Sequence, residues 1–352
     1  MKKELLMGTA LVSTLGAASV AQAVEATMSG NHQTGLEFDS PTGGTDTRAQ
    51  INDNNFTVSL SETTDGGMTI SSSFMLMNEN GASGDTDAGF TLEFTDGSKL
   101  DVLNAGNASG SHDISVPASA GSEGVTVTTT NKAPTGLDFA TASTVYGVEY
   151  HTADDFMADG LKMSFSFSTD DGSNNSSTYT RDGHYAIGGT YVTDLGDSAV
   201  TVGAGFSQSE GGKTGTAANS DEGGMHIGLS AVTGDLTVAV GYADGDDIVS
   251  QATTESLNTE VDGEVVKVGV KYVSGDLTFN VGATSGEGQD SHTLGTAGTT
   301  EDSYEKTSAS VSYAVASGVT AYLGYTDVDS SDEGVNDTTD GSAWYIGANM
   351  SF

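Results

Sequence analysis

The sequence predicts an all-β fold: a transmembrane antiparallel β-barrel of sixteen strands, with short turns at one end and long loops at the other. Three observations carry that prediction. Apolar residues alternate with small or polar ones over segments of about ten residues, tight Gly/Asp turns take turns with long polar loops, and the N-terminus carries an export signal.

The export signal comes first in the chain. Met1-Lys2-Lys3 is a positive opening, although Glu4 is unusual there, Leu5 to Val20 is apolar, and Ala21-Gln22-Ala23 is an A-x-A cleavage signal. Residues 1–23 are expected to be a cleaved signal peptide, and 24–352 the barrel domain. No later run of 18 apolar residues occurs, so no helix of the mature chain is expected to cross a bilayer. With 48 Gly, the chain is a poor helix former, because Gly costs about 1 kcal/mol relative to Ala in a helix interior. The absence of Cys is compatible with an oxidising compartment.

Strands follow. In SAVTVGAGFS, Val200, Val202, Ala204 and Phe206 share one face, and Thr201, Gly203, Gly205 and Ser207 the other. A side-chain period of two makes one face apolar and the other wet. The same pattern holds for Leu161 to Phe167, Tyr185 to Tyr191, Leu236 to Tyr242 and Leu277 to Ala283. Ten residues suit a tilted membrane strand better than a soluble one.

Tight turns fall at Asp65-Gly66-Gly67, Asp96-Gly97-Ser98, Thr233-Gly234-Asp235, Ser274-Gly275-Asp276 and Ala316-Ser317-Gly318, with longer ones at Thr152 to Gly160 and Thr193 to Ser198. Between them lie polar loops at Asp39 to Arg48, Glu79 to Ala88, Ala105 to Ser143, Asp170 to Asp182, Glu210 to Gly223, Asp244 to Gly263, Gly286 to Ser303 and Val328 to Gly341. Eight loops and seven turns join sixteen strands, an even number in the bacterial outer-membrane range, where turns are periplasmic and loops external. In hydrocarbon every backbone N–H and C=O must be paired within the protein, so such a sheet must close, first strand on last. A soluble β-sandwich would also alternate, but it gives no reason for the long/short rhythm. The expected location is the outer membrane of a Gram-negative bacterium.

There are 11 basic and 49 acidic residues, a net charge of -38, which repels nucleic acid and draws cations. Loop carboxylates cluster at Asp85/Asp87, Asp244/Asp246/Asp247 and Asp327/Asp329/Asp332/Glu333. Oxygen donors at this spacing can coordinate Ca²⁺, the one cofactor the sequence raises, or form a solvated rim. Neither an EF-hand loop nor an RTX repeat is present. The six His are scattered, and His184 and His226 have inward parity, which reads as barrel lining rather than metal ligation. No HExxH or Ser-nucleophile motif occurs, so no enzyme is expected.

The chain ends SAWYIGANMSF, with Trp344, Ile346, Ala348, Met350 and Phe352 on one face. This ending resembles the signal read by the barrel-assembly machinery, an expected partner. Tyr146, Tyr150, Tyr185, Tyr191, Tyr242, Tyr272, Tyr313, Tyr325 and Trp344 share the lipid-facing parity, as an aromatic girdle requires.

Taken together, ATMSGNHQTGLEF, FTVSLSETTDGGMTISSSFML, GFTLEFTDGSKLDVLNA and the C-terminal strand resemble the general diffusion porins of Gram-negative bacteria, most closely the sixteen-stranded alphaproteobacterial type. The Pro-Glu-Phe-Gly motif of enterobacterial constriction loops is absent. The resemblance implies that the third loop, residues 105–143, folds into the barrel and narrows it. It also implies a homotrimer seated in outer-membrane lipid and lipopolysaccharide. That loop carries Asp113, Glu123, Lys132 and Asp138, while strand parity turns Glu37, Glu93, Lys99, Asp101, Glu149, Lys162, Lys267 and Lys271 inward. The expected constriction is built from Asp113, Glu123, Lys132, Asp138, Glu93, Lys99, Asp101, Glu149 and Lys162. The expected function is passive diffusion of small hydrophilic solutes and ions with modest cation preference. The alternative is a surface-exposed structural or adhesive barrel with little conductance.

Overall fold

The fold was analysed in a computed structural model, which describes residues 24–41, 45–77, 89–103, 107–117, 147–168, 181–211, 213–214, 217–218, 222–246, 262–289, 302–331 and 340–352. The signal-peptide expectation falls on residues 1–23, outside the described residues.

Sixteen strands close into one antiparallel barrel. In chain order they are β1 (Glu25–Pro41), β2 (Thr47–Thr63), β3 (Thr69–Met77), β4 (Phe90–Glu93), β5 (Lys99–Val102), β6 (Val148–His151), β7 (Leu161–Ser168), β8 (Arg181–Leu195) and β9 (Ser198–Gly211). After a two-residue hairpin, β10 (Lys213–Thr214) with β11 (Ala217–Ala218), come β12 (Glu222–Thr233), β13 (Leu236–Asp246), β14 (Asp262–Ser274), β15 (Leu277–Gln289), β16 (Asp302–Ala316), β17 (Val319–Ser331) and β18 (Gly341–Ser351). Each barrel strand pairs with its neighbours in sequence order, and β1 closes on β18, with Leu36 opposite Ile346 and Phe38 opposite Trp344.

Burial follows the period of two. Phe165, Phe167, Val238, Val240, Phe279, Val281, Trp344 and Ile346 are exposed on the outer face, while Ser164, Ser166, Ser168, Ser207, Ser308, Ser310 and Ser312 are buried on the inner one. A barrel with an apolar outside and a small polar inside is suited to lipid, not water.

Several sequence-derived boundaries shift. The first loop is shorter than expected, because Asp39 to Pro41 belong to β1 and Thr47 and Arg48 to β2. Likewise β13 runs to Asp246, β15 to Gln289 and β17 to Ser331, and β8 turns into β9 through Gly196 and Asp197 alone. Alternation ends where both faces meet water, but the hydrogen-bond ladder continues, so pattern reading stops a strand too early. Among the described residues β4, β5 and β6 have 4 residues each, and the stretches on their loop side, 78–88, 104–106 and 118–146, lie outside the described residues.

The turns use their glycines as expected. Gly67, Gly97, Gly196, Gly234, Gly275 and Gly318 have positive φ, which Gly alone adopts without a Cβ penalty. At Asp96-Gly97-Ser98 the Asp96 carboxylate accepts from the Ser98 hydroxyl (2.7 Å) and the Ser98 N–H (3.0 Å), which holds its pKa below the usual carboxylate range.

Candidate functional site at the inner wall

Between β5 and β6 the chain enters the barrel, and residues 107–117 lie flat on its inner face. The local start is an Asx turn: the Asn107 side chain accepts from the Ser109 N–H (2.9 Å), and a 3-10 turn follows over Gly110–His112. Five hydrogen bonds tie this segment to the wall. The Ala108 N–H donates to Ser166 Oγ (3.0 Å) and Ser111 Oγ to Glu149 Oε1 (2.7 Å). His112 bridges Thr190 Oγ1 (2.6 Å) and Ser164 Oγ (2.8 Å), and His226 Nε2 donates to the Ser109 carbonyl (2.8 Å). At about 0.5–1.5 kcal/mol net per bond, the set is worth several times thermal energy. Ile114 and Val116 add a small apolar cluster with Ala239 of β13.

The wall is shaped to receive this segment. A Cβ on Gly188 would meet the Ala108 carbonyl, one on Gly203 the His112 carbonyl, one on Gly205 the Ser109 side chain, and one on Gly269 the Pro117 carbonyl. At Gly228 it would meet Ile114. Inward glycines on β8, β9, β12 and β14 thus form a track with no side chains in the way. The inward parity of these residues is readable from sequence, but their role as a bed for a distant loop is not.

The expected constriction residues fall as follows. Asp113 lies on the described loop, its Oδ1 3.8 Å from His226 Nδ1. Glu123, Lys132 and Asp138 lie outside the described residues. Glu93 and Lys99 pair across the β4/β5 turn at 3.5 Å, and Lys162 reaches Asp154 in the 152–160 turn at 2.6 Å, so these lysines are engaged at the turn-side end. The Lys162 ammonium holds the Asp154 carboxyl below its ordinary range. Asp101 and Glu149 are cross-strand partners on β5 and β6. His151 joins them, with Nε2 3.0 Å from Asp101 Oδ2 and 3.6 Å from Glu149 Oε1. Sequence reading passed over His112 and His151; the inward parity of 151, next to outward Tyr150, was the available signal.

Across the barrel stand Lys267 on β14 and Lys306 on β16, in one row through Thr284 of β15. In the closed order β14 is eight strands from β4, and β16 eight from β6, so this basic pair faces the acidic strands diametrically. A second departure from the small polar lining is an inner patch of Tyr322 and Tyr345, fully buried with their ring centroids 6.0 Å apart and packed against Ile51. Gly324, which a Cβ would drive into the Tyr345 ring, makes room for it. Of the acidic loop clusters, Asp85, Asp87, Asp247, Asp332 and Glu333 lie outside the described residues. Asp244 accepts from the Tyr242 hydroxyl at 3.1 Å.

At the C-terminus Trp344, Ile346 and Met350 face outward, and Trp344 packs on Tyr325 with centroids 4.6 Å apart. Phe352 exchanges backbone hydrogen bonds with Gly30 (both 3.1 Å) and lies near the Phe56 ring.

Among solved structures, a porin refined at 1.8 Å resolution is similar over 93% of this chain and 100% of its own, at 19% identity and a TM-score of 0.60. An anion-selective porin from Comamonas acidovorans is similar over 94% and 100%, at 11% identity and a TM-score of 0.62. A trimer form of OmpT, an outer membrane protein of Vibrio cholerae, is similar over 94% and 100%, at 13% identity and a TM-score of 0.58. At these identities the likeness speaks for the sixteen-stranded fold. No curated protein matches the sequence. A family model described as Gram-negative porin matches residues 8–352, and the chain therefore belongs to the Gram-negative porins, barrels of the outer membrane.

Proposed function

We propose that the protein forms a water-filled channel for passive diffusion of small hydrophilic solutes and ions, mildly cation-selective, with residues 107–117 as the first part of its constriction. The observation that carries this reading is the closed sixteen-stranded barrel with a small polar inner face. Eight strands would be filled by side chains, whereas sixteen leave an aqueous lumen. Such a lumen needs no catalysis and no energy coupling.

The selectivity reading rests on Asp101 and Glu149 on one side and Lys267 and Lys306 opposite them, with Glu37 of β1, three strands from β16, as a further inward carboxylate. Opposed rows set a field across the lumen, and the excess of acid favours cations. A homotrimer is the assembly this reading carries over from the porins it resembles. One of the similar structures, OmpT of Vibrio cholerae, is a trimer form, and that likeness is what favours three copies here. Lipid and lipopolysaccharide would cover the remaining circumference, and the aromatic C-terminal strand would address the chain to the barrel-assembly machinery.

The test is single-channel recording of refolded protein in a planar bilayer under a salt gradient. Openings in groups of three with a cation-leaning reversal potential are expected. A folded barrel without conductance would replace this reading with a structural or adhesive role.

A further inference from the structure

Asp101, Glu149 and His151 form, among the described residues, the one group of three side chains whose ligand atoms all lie within 4.8 Å of one another. We propose that these three side chains bind a divalent transition ion of the zinc type on the inner wall, beside the start of the constriction.

Geometry is the first support. Ligand atoms around a tetrahedral zinc with bonds of about 2.0–2.1 Å stand roughly 3.3 Å apart. The observed separations, 3.0 Å from His151 Nε2 to Asp101 Oδ2 and 3.6 Å to Glu149 Oε1, bracket that value. Little movement is needed to admit an ion. Three protein ligands leave a fourth position for water or a solute group, as in open zinc sites. Asp101 and His151 keep 17% and 21% of their side-chain surface exposed, which gives an ion a way in from the lumen.

The surrounding hydrogen bonds are the second support. Ligating side chains are held by outer partners, and a ligating His donates its other ring N–H. Each of the three has such a partner: Thr91 Oγ1 donates to Asp101 Oδ1, Ser111 Oγ to Glu149 Oε1 (2.7 Å), and His151 Nδ1 meets Ser164 Oγ (2.7 Å). Ser164 continues to His112 Nε2 (2.8 Å), and His112 Nδ1 to Thr190 Oγ1 (2.6 Å). This chain can run in either direction. Without an ion, Nε2–H of His151 donates to Asp101 and the Ser164 hydroxyl donates to Nδ1. With an ion on Nε2, the proton sits on Nδ1 and donates to Ser164, whose hydroxyl turns to His112. No proton need leave the network: the one the ion displaces from Nε2 is matched by one on Nδ1 of the same ring, as the Ser164 hydroxyl rotates and His112 changes from its Nε2–H to its Nδ1–H form.

The ligand set selects the ion. One imidazole and two carboxylates suit zinc and its neighbours, whereas calcium prefers oxygen ligands alone and more of them. Lys99, opposite His151 in the ladder, is the nearby charge that opposes a cation, and its ammonium is already engaged with Glu93 at 3.5 Å.

The experiment is zinc binding to the tag-free refolded barrel, followed by equilibrium dialysis with metal counting, which reads the site independently of conductance. About one zinc per chain is expected for the natural protein, none for His151→Gln or Asp101→Asn. Ser164→Ala, which removes the outer partner of His151 together with one bond to His112 but no ligand, should weaken binding about 10–100-fold. Circular dichroism of each variant checks that the barrel is folded. Zinc should also move the reversal potential toward anions in the natural protein and leave His151→Gln unmoved. A folded natural barrel that retains no zinc, or equal retention by both His151→Gln and Asp101→Asn, would overturn the site and leave these residues as an ion pair.

Discussion

Individual residues decide how the barrel interior is used. Gly203 meets the carbonyl of His112, and any side chain there displaces the loop segment that the five wall hydrogen bonds hold down. Gly203→Val is expected to lift residues 107–117, at a cost of about 1–3 kcal/mol for overpacking, and to change single-channel conductance while the strand signal stays. Unchanged conductance in a folded Gly203→Val barrel would show that this segment does not limit flow. Parity made these glycines, and Asp101 and Glu149, legible as inward residues. What each one touches was not legible, because Ala108, His112 and Pro117 reach the wall from a loop whose path no local rule sets.

Elements carry their own tests. On β13, Val240 faces outward, and Val240→Arg should cost about 2–4 kcal/mol if it sits near the bilayer midplane, read as a lower denaturant midpoint in lipid vesicles. A soluble sandwich would show no such dependence on lipid. At the β4/β5 turn, the lowered pKa of Asp96 means that its bonds to Ser98 stabilise the fold above the unfolded carboxylate pKa and are lost as pH falls through the lower, folded value. The stability gap between the natural protein and Asp96→Asn should therefore be present at neutral pH and close in acid, as measured by urea unfolding at both. On β18, Phe352→Ala removes the terminal ring beside Phe56 and is expected to slow insertion by the assembly machinery more than it destabilises the finished barrel.

At the scale of the whole molecule, closure places groups opposite one another that are far apart in sequence. Lys306 of β16 stands eight strands from Glu149 of β6. Lys306→Glu should raise the preference for cations, and Glu149→Gln lower it, both read from reversal potentials under the same gradient. A pore whose selectivity ignored both changes would have to be governed by residues outside the described part of the loop.

The sequence alone determined strand number, facing and the alternation of turns and loops, because side-chain period and turn chemistry are local properties. It also marked the C-terminal strand and the inward carboxylates. Only the tertiary structure decided how far the ladders run past the apolar pattern and that tyrosines as well as serines line the interior. It alone brought His112 to Ser164 and Thr190, and His151 between Asp101 and Glu149. Those contacts join residues on separate strands and a loop, and closing the sheet is what sets their distances.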